Sequence, residues 1–268
     1  MINSINIGSI TIKFYSLCIL LGVICAYIVI MKESKRQKLN TDVMFNILFY
    51  GIIVGIIGAR LYYVLFNFDY YVFHLDEIFK IWQGGLAIHG GIIGGVIVVY
   101  LYSESRHISF FKLSDIILPG VIIAQGIGRW GNFFNQEAYG MMVSKEVLQK
   151  LLVPDFIIKG MYINGNYYLP TFYFESIFCI LGFIIILLLR KKIKKTGILT
   201  AFYLIWYGVL RFIIEYFRTD SLMLFNAKVA MIVSGLMVIF GVTILVYKLV
   251  RSKEWYYDIF WKNKRRNI

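Results

Sequence analysis

The chain has 268 residues, 59% of them hydrophobic, 18% aromatic and only 16% charged, and its mean hydropathy is +0.72. A soluble domain is about 45–50% apolar and about 25% charged, so a soluble enzyme, a disordered chain and a secreted disulfide scaffold are all disfavoured. The net charge of +13 would suit nucleic acid only as a basic face on a soluble domain; here the cations fall between apolar runs, and no nucleic-acid partner is expected.

Apolar runs of about 17–25 residues cross a hydrocarbon core about 30 Å thick as helices. In chain order the first is residues 14–31, followed by a basic cluster and no small-residue cleavage site, which reads as a retained helix rather than a secretory signal. Residues 43–66 form the second. The third, 86–102, opens on His89-Gly90-Gly91, and its pairs Gly90/Gly94 and Gly91/Gly95 have the spacing of a helix-packing face. Residues 113–130 form a weaker fourth span, interrupted by Asp115, Pro119, Gln125 and Arg129. It is expected to face protein or water more than lipid, with Pro119-Gly120 as a kink. The more polar stretch 132–170, with its turn-prone Asn164-Gly165-Asn166, reads as a small extracytoplasmic cap. Residues 171–189, 198–217 and 229–247 complete seven spans. The tail, 251–268, interleaves Trp255, Tyr256, Tyr257, Phe260 and Trp261 with basic residues, as a cytoplasmic segment on an anionic leaflet would. The expected fold is an all-α polytopic membrane protein of about seven transmembrane helices and a small cap, one transmembrane domain over residues 1–268.

Lysine and arginine in short loops set the orientation. With the amino terminus outside, eighteen cations fall in the cytoplasmic segments, in clusters such as Lys32 to Lys38 and Arg190 to Lys195. Only Lys80, Lys145, Lys150, Lys159 and Lys228 fall in the outer ones. The sequence thus predicts amino terminus out and carboxyl terminus in. The remaining cations, Lys13, Arg60, Arg129, Arg211 and Arg218, lie in or at the ends of spans, toward the outer leaflet.

An ionisable group in a span costs about 2.5–3.5 kcal/mol on the insertion scale and so faces a cavity or a partner. Arg211, Glu215 and Arg218 are spaced i, i+4, i+7, which places them on one helical face with Glu215 able to bridge both cations. That face keeps a net positive charge suited to an anionic ligand. The run Gly128-Arg129-Trp130-Gly131-Asn132-Phe133-Phe134-Asn135-Gln136-Glu137, followed by Gly140, adds amides, a carboxylate and another guanidinium, the group that matches phosphate through paired donors. A phosphate-bearing head group is the natural guest. His89 begins an apolar helix beside a glycine surface and is a packing residue, a general base or a head-group ligand.

Cys18, Cys25 and Cys179 sit in apolar runs without paired spacing, and His74, His89 and His107 fall on different segments. No metal, disulfide or cofactor is indicated. Neither a nucleophile elbow nor a phosphate loop is present.

These residues resemble the prolipoprotein diacylglyceryl transferase family over nearly the whole chain. The most specific match is the Gly-Arg-x-Gly-Asn-Phe-x-Asn-x-Glu signature at Gly128 to Glu137, with Gly140 after it. His89 to Gly91 after Ile81 to Gly85, Gly58 to Val64, the Arg211 to Arg218 helix and Tyr15 also match. Ser16, Leu75 and Ala87-Ile88 depart from the usual pattern without removing a polar candidate. The resemblance implies a protein of the bacterial cytoplasmic membrane, active at its outer face. Its implied reaction transfers the diacylglyceryl group of phosphatidylglycerol to the lipobox cysteine of a prolipoprotein signal peptide, with release of glycerol phosphate. On this footing Arg129 and Arg211 are expected to clamp the phosphate, Glu137 and Glu215 to orient them, and His89 to act as base for the incoming thiol. A thiolate stabilised by guanidinium without histidine is the alternative. Asn132, Asn135 and Gly140 would shape the head-group pocket, with Tyr15, Arg60 and Arg218 as further binding residues. Two readings of other classes stay open at this point: a transporter using the same arginines for an anionic lipid or solute, and a scaffold whose arginines only lock helices. The absence of an inverted repeat weighs against the transporter.

Overall fold

The structure is a computed structural model and describes residues 4–7, 10–221, 223–224 and 227–250; the tail at 251–268, with its aromatic cluster, lies outside the described residues. The chain opens with a hairpin of β1 (Ser4–Ile7) and β2 (Ile10–Lys13). There follow α1 (Phe14–Arg36), α2 (Thr41–Phe66), the single turn α3 (Phe68–Tyr71), α4 (Ile88–Ser105) and α5 (Phe110–Asn135). Short α6 (Lys145–Lys150) and α7 (Asp155–Gly160) precede a hairpin of β3 (Tyr162–Ile163) and β4 (Asn166–Tyr167). Then come α8 (Thr171–Leu189), α9 (Ile198–Phe217), a hairpin of β5 (Met223–Leu224) and β6 (Ala227–Lys228), and α10 (Val229–Val250). Seven of the helices, α1, α2, α4, α5, α8, α9 and α10, are long and apolar enough to cross a membrane. The chain is an all-α polytopic membrane protein, with strands confined to three two-stranded hairpins among the described residues. Helices dominate because hydrocarbon offers no partner to a backbone N–H or C=O, and a helix satisfies both within the segment.

Spans α8 and α9 coincide with the predicted 171–189 and 198–217. Helix α1 continues past residue 31 because Glu33 is buried and bonded to Arg36 and Gln37, so the basic turn packs instead of fraying. The expected Asn164-Gly165 turn joins β3 to β4, with φ of 49° and 88° at the two positions, the left-handed pair that a two-residue hairpin needs.

Contacts group the chain into two compact units, residues 4–29 with 115–250 and residues 30–114. In the first, Ile122 of α5, Cys179 and Ile186 of α8, and Leu199, Tyr203, Tyr207, Leu210 and Ile214 of α9 form one buried cluster. A second cluster builds the cap: Phe133 and Phe172 stack at 4.9 Å between centroids, against Leu148, Val153, Ile157, Ile158 and Met161. In the second unit α2 lies on α4 across glycines. A Cβ at Gly90 would run into the Gly58 carbonyl, and one at Gly94 would come within 2.6 Å of the Val54 oxygen. Gly91 makes only ordinary contact with α2 and Gly95 has open space beside it, so the packing face is Gly90/Gly94.

Asp115 is buried and holds the start of α9. That helix begins after Gly197, which has no side chain to cap it, and the Asp115 carboxylate accepts from Gly197 N at 2.6 Å, Thr200 N at 2.8 Å and Thr200 Oγ1 at 2.6 Å. A buried N–H left without an acceptor costs about 1–3 kcal/mol. Asp115→Ala is therefore expected to destabilise the protein by about that amount, read as a lower thermal midpoint in detergent, and Asp115→Asn, which keeps one good acceptor, by less.

Candidate active site

The first unit gathers most of the candidate residues on the facing ends of α5, α8 and α9. Its hub is Glu175, a lone carboxylate of α8 that is only 1% exposed. Arg129 of α5 reaches it with Nη2 at 2.9 Å, and Arg211 of α9 with Nη1 at 3.3 Å. The Tyr207 hydroxyl donates to Glu175 at 3.2 Å and accepts from Arg129 at 3.3 Å. One turn deeper, Gln125 Nε2 donates to the Tyr203 hydroxyl at 3.0 Å, and the Tyr203 and Tyr207 rings run parallel at 5.8 Å. Arg129 and Arg211 thus share one counter-charge, held by a polar column inside an otherwise apolar bundle.

The Arg211 to Arg218 face has the predicted form. Glu215, buried, pairs closely with Arg211 Nη2 and lies 3.9 Å from Arg218 Nη1, so it touches both cations. Arg218 in turn donates from Nε to Asp220 at 2.6 Å. Lys228 Nζ caps the carboxyl end of α9, donating to the carbonyls of Glu215 at 2.7 Å, Tyr216 at 3.3 Å and Arg218 at 2.7 Å.

The signature run is not a loop at the end of a span. Helix α5 continues through Gly128, Gly131 and Asn132 to Asn135, and the ring of Tyr15 packs over Gly131, where a Cβ would come within 2.7 Å of Cδ2. Two bonds close the helix, Gln136 N to Phe133 O and Glu137 N to Asn132 O, with Gln136 at φ 50°. This is the Schellman arrangement, with glutamine where glycine is usual; Gln136 Nε2 is itself held by the Gly160 carbonyl at 3.0 Å.

Several assignments change on this geometry. Glu137 does not orient Arg129, whose carboxylate partner is Glu175; instead Glu137 accepts from Asn132 Nδ2 at 2.9 Å, across the helix end. Asn135 and Glu137 are exposed, and Asn132 is partly so. Gly140 donates its N–H to Leu169 O at 2.9 Å, and a Cβ there would meet Leu169 and Thr171 at 3.0 Å, so the packing of the cap accounts for a glycine at 140. Segment 138–142 is stitched to α9 as well: Met141 N donates to Phe217 O at 3.0 Å and Ala138 N to Asp220 Oδ2 at 3.2 Å. Burial raises the affinity of Asp220 for a proton. The Arg218 guanidinium and the Ala138 N–H outweigh this and hold the carboxyl below its usual range. The tie it makes is thus fully present above the ordinary carboxylate pKa and lost as pH falls through the lowered one.

Arg60 and His89 belong to the second unit. Arg60 is buried, and its guanidinium donates to the carbonyls of Glu77, of Ile78 at 2.7 Å, of Gly84 at 3.0 Å and of Gly85 at 2.9 Å. Its three guanidinium nitrogens are thus each engaged by backbone carbonyls. His89, half-buried in the first turn of α4, has its ring 5.9 Å from that of Tyr62 in a stacked arrangement.

Glu175 was missed in the sequence, although a single carboxylate inside the apolar run 171–189 meets the rule for intramembrane charge. Tyr207 carried no comparable signal, since tyrosine is common in spans.

The sequence profile described as prolipoprotein diacylglyceryl transferase matches residues 3–247. The phosphatidylglycerol-prolipoprotein diacylglyceryl transferase of Listeria monocytogenes serotype 4a is 43% identical over 254 residues, covering 95% of this chain and 92% of its own. Proteins of the same name from Staphylococcus aureus, strain MSSA476, and Staphylococcus epidermidis, strain ATCC 12228, are each 44% identical; they cover 92% and 94% of this chain and 88% and 91% of their own.

Proposed function

The chain belongs to the prolipoprotein diacylglyceryl transferase family, and from that premise we propose that it transfers the diacylglyceryl group of phosphatidylglycerol to the thiol of the lipobox cysteine of a prolipoprotein. The thiol loses its proton, its sulfur attacks the glyceryl carbon next to the phosphate, a carbon–sulfur bond forms and the carbon–oxygen bond to phosphate breaks. Glycerol phosphate leaves with the electron pair of that bond. The phosphodiester has one negative charge and the departing monoester gains a second, so donors fixed beforehand around the phosphate favour the transition state over the substrate.

The observation that carries this reading is the disposition of Arg129. Glu175 and Tyr207 engage only its Nη2, and no partner among the described residues engages Nε or Nη1. One side of the guanidinium is thus anchored and the other keeps the paired donors that match two phosphate oxygens. Arg211 is anchored through both Nη atoms, to Glu175 and Glu215, and adds charge at a fixed place. In this reading Arg129 and Arg211 hold the phosphate, Glu175 and Glu215 fix their direction, and Tyr15 and the Asn132–Glu137 pair border the head group. Arg218, tied to Glu215 and Asp220, holds the end of α9. His89 is the base for the incoming thiol, whose free pKa of about 8.5 leaves it mostly protonated at neutral pH.

We place the protein in the bacterial cytoplasmic membrane with its amino terminus outside, its carboxyl terminus inside and the arginine cluster toward the outer face, on the strength of the lysine and arginine bias. The test is to incubate purified protein in detergent with phosphatidylglycerol and a lipobox peptide and to weigh the peptide. One added diacylglyceryl group is expected, and no added mass would refute the transferase reading. In the same assay His89→Gln is expected to lower turnover by about 10²–10⁴, the usual worth of a positioned base. Unchanged turnover would leave the guanidinium-stabilised thiolate as the nucleophile's source.

A further inference from the structure

Helix α9 does not end on glycine. Its last residue, Phe217, is followed by Arg218 in extended backbone, with φ −78° and ψ 139°, so the carbonyls of the final turn need donors from elsewhere. The chain supplies them by turning back. Gly208 and Gly241 let α10 lie close along α9: a Cβ on Gly208 would lie 3.0 Å from the Ser234 oxygen, and one on Gly241 3.0 Å from the Ala201 oxygen. The β5–β6 hairpin pairs Met223 with Lys228, the residue before α10, and so returns Lys228 to the end of α9. There its Nζ donates to the carbonyls of Glu215 at 2.7 Å, Tyr216 at 3.3 Å and Arg218 at 2.7 Å, which uses all three of its hydrogens.

The position matters for charge. Ion pairs run in one chain from Arg129 through Glu175, Arg211, Glu215 and Arg218 to Asp220. Guanidinium and carboxylate groups are equal in number along it, so the chain sums to zero. The positive excess that Arg211, Glu215 and Arg218 have by themselves is cancelled by the groups they join. Glu137, bonded to Asn132, stands outside this chain. The carboxyl end of α9 adds about half a negative charge. A phosphodiester has one negative charge and its departing monoester two, so a neutral network with a negative helix end behind it would offer donors without a net field. Lys228 changes this balance. Carbonyls satisfy its hydrogens, and among the described residues no carboxylate is bonded to it, so its charge stays uncompensated.

We infer that Lys228 supplies the net positive charge of the phosphate site and fixes the end of the helix that carries Arg211 and Glu215. It touches neither the phosphate nor the thiol; it acts through α9, as a positioning residue. An ammonium suits the place because its donors radiate from a single atom, as carbonyls converging on one point require. The inference rests on the proposed transfer, and it adds to the paired donors of Arg129 the field in which they act.

The experiment uses the full chain in detergent with phosphatidylglycerol and a lipobox peptide, and reads kcat/KM from the mass added to the peptide beside the thermal midpoint of each variant. Lys228→Met is expected to lower kcat/KM by about tenfold, the order of effect that a unit charge has at about 10 Å in a medium of dielectric about 20. Lys228→Arg keeps the charge and should lose less than about threefold, although its planar fork fits the carbonyls less well. Lys145→Met, which removes an exposed cation of the cap, should match the parent. The deciding variant combines Lys228→Met with Asp220→Asn. It restores the net positive charge and repairs no bond to the α9 carbonyls, so it should be severalfold faster than Lys228→Met with no higher midpoint. A double variant as slow as Lys228→Met would overturn the charge account and leave only a helix cap. Parental speed in Lys228→Met itself would overturn the inference entirely. If the parent adds no mass to the peptide, the transfer reading has failed and this inference falls with it.

Discussion

Glu175→Ala is expected to cost about 3–5 kcal/mol of stability and to abolish transfer, because it breaks a buried ion pair by removing one partner and leaves uncompensated charge. Both carboxylate oxygens are in use: Oε1 receives Arg129 at 2.9 Å and the Tyr207 hydroxyl at 3.2 Å, and Oε2 receives Arg211 at 3.3 Å. Without it two guanidinium groups face each other across an apolar interior, and Glu215, already engaged by Arg211 and near Arg218, cannot neutralise all three cations. Glu175→Gln keeps the shape and an acceptor but not the charge, so it should fold with a smaller loss and still transfer poorly. Thermal unfolding in detergent, followed by mass measurement of the lipidated peptide, separates the two effects. An alanine variant within about 1 kcal/mol of the parent, inside the range of ordinary surface substitutions or mild ones, would show that the arginines do not depend on Glu175.

The hydrophobic pattern carries the spans because burial in hydrocarbon is decided residue by residue along the chain; residues 171–189 and 198–217 are read off to the residue. The same logic found the Arg211, Glu215, Arg218 face, where the contacts follow from helical spacing alone. It failed on α5. The apolar run thins out after Trp130, while the helix goes on through Gly131 and Asn132, which are poor helix formers, and its stop at Gln136 uses a residue that gives no such signal. What carries the helix through is tertiary, the Tyr15 ring over Gly131 and the cap packed on Phe133. Pairing across helices was equally hidden. Nothing in the spacing of Arg129 and Glu137 says that the arginine turns inward to α8, and Arg60 is an intramembrane arginine like the others until the four carbonyls that hold it are seen. Charge within a span identified the residues that matter to the structure but not which of them face a ligand.

Arg129→Ala is expected to lower kcat/KM for lipid transfer by about 10²–10³, the loss seen when one preorganised donor to a developing oxyanion is removed. Arg129→Lys discriminates more sharply. An ammonium at the end of the shorter stem still supplies the positive charge that Glu175 requires, so the lysine protein should keep a thermal midpoint close to the parent's. It cannot, however, be anchored by one nitrogen while offering two others in the plane of a phosphate, because its three donors radiate from a single atom. The lysine variant should therefore be folded and nearly as slow as alanine, with kcat falling more than KM rises if the contact tightens as the leaving phosphate gains charge. Near-parental turnover in Arg129→Lys would mean that a point charge suffices, and the paired-donor account of Arg129 Nε and Nη1 would have to be given up.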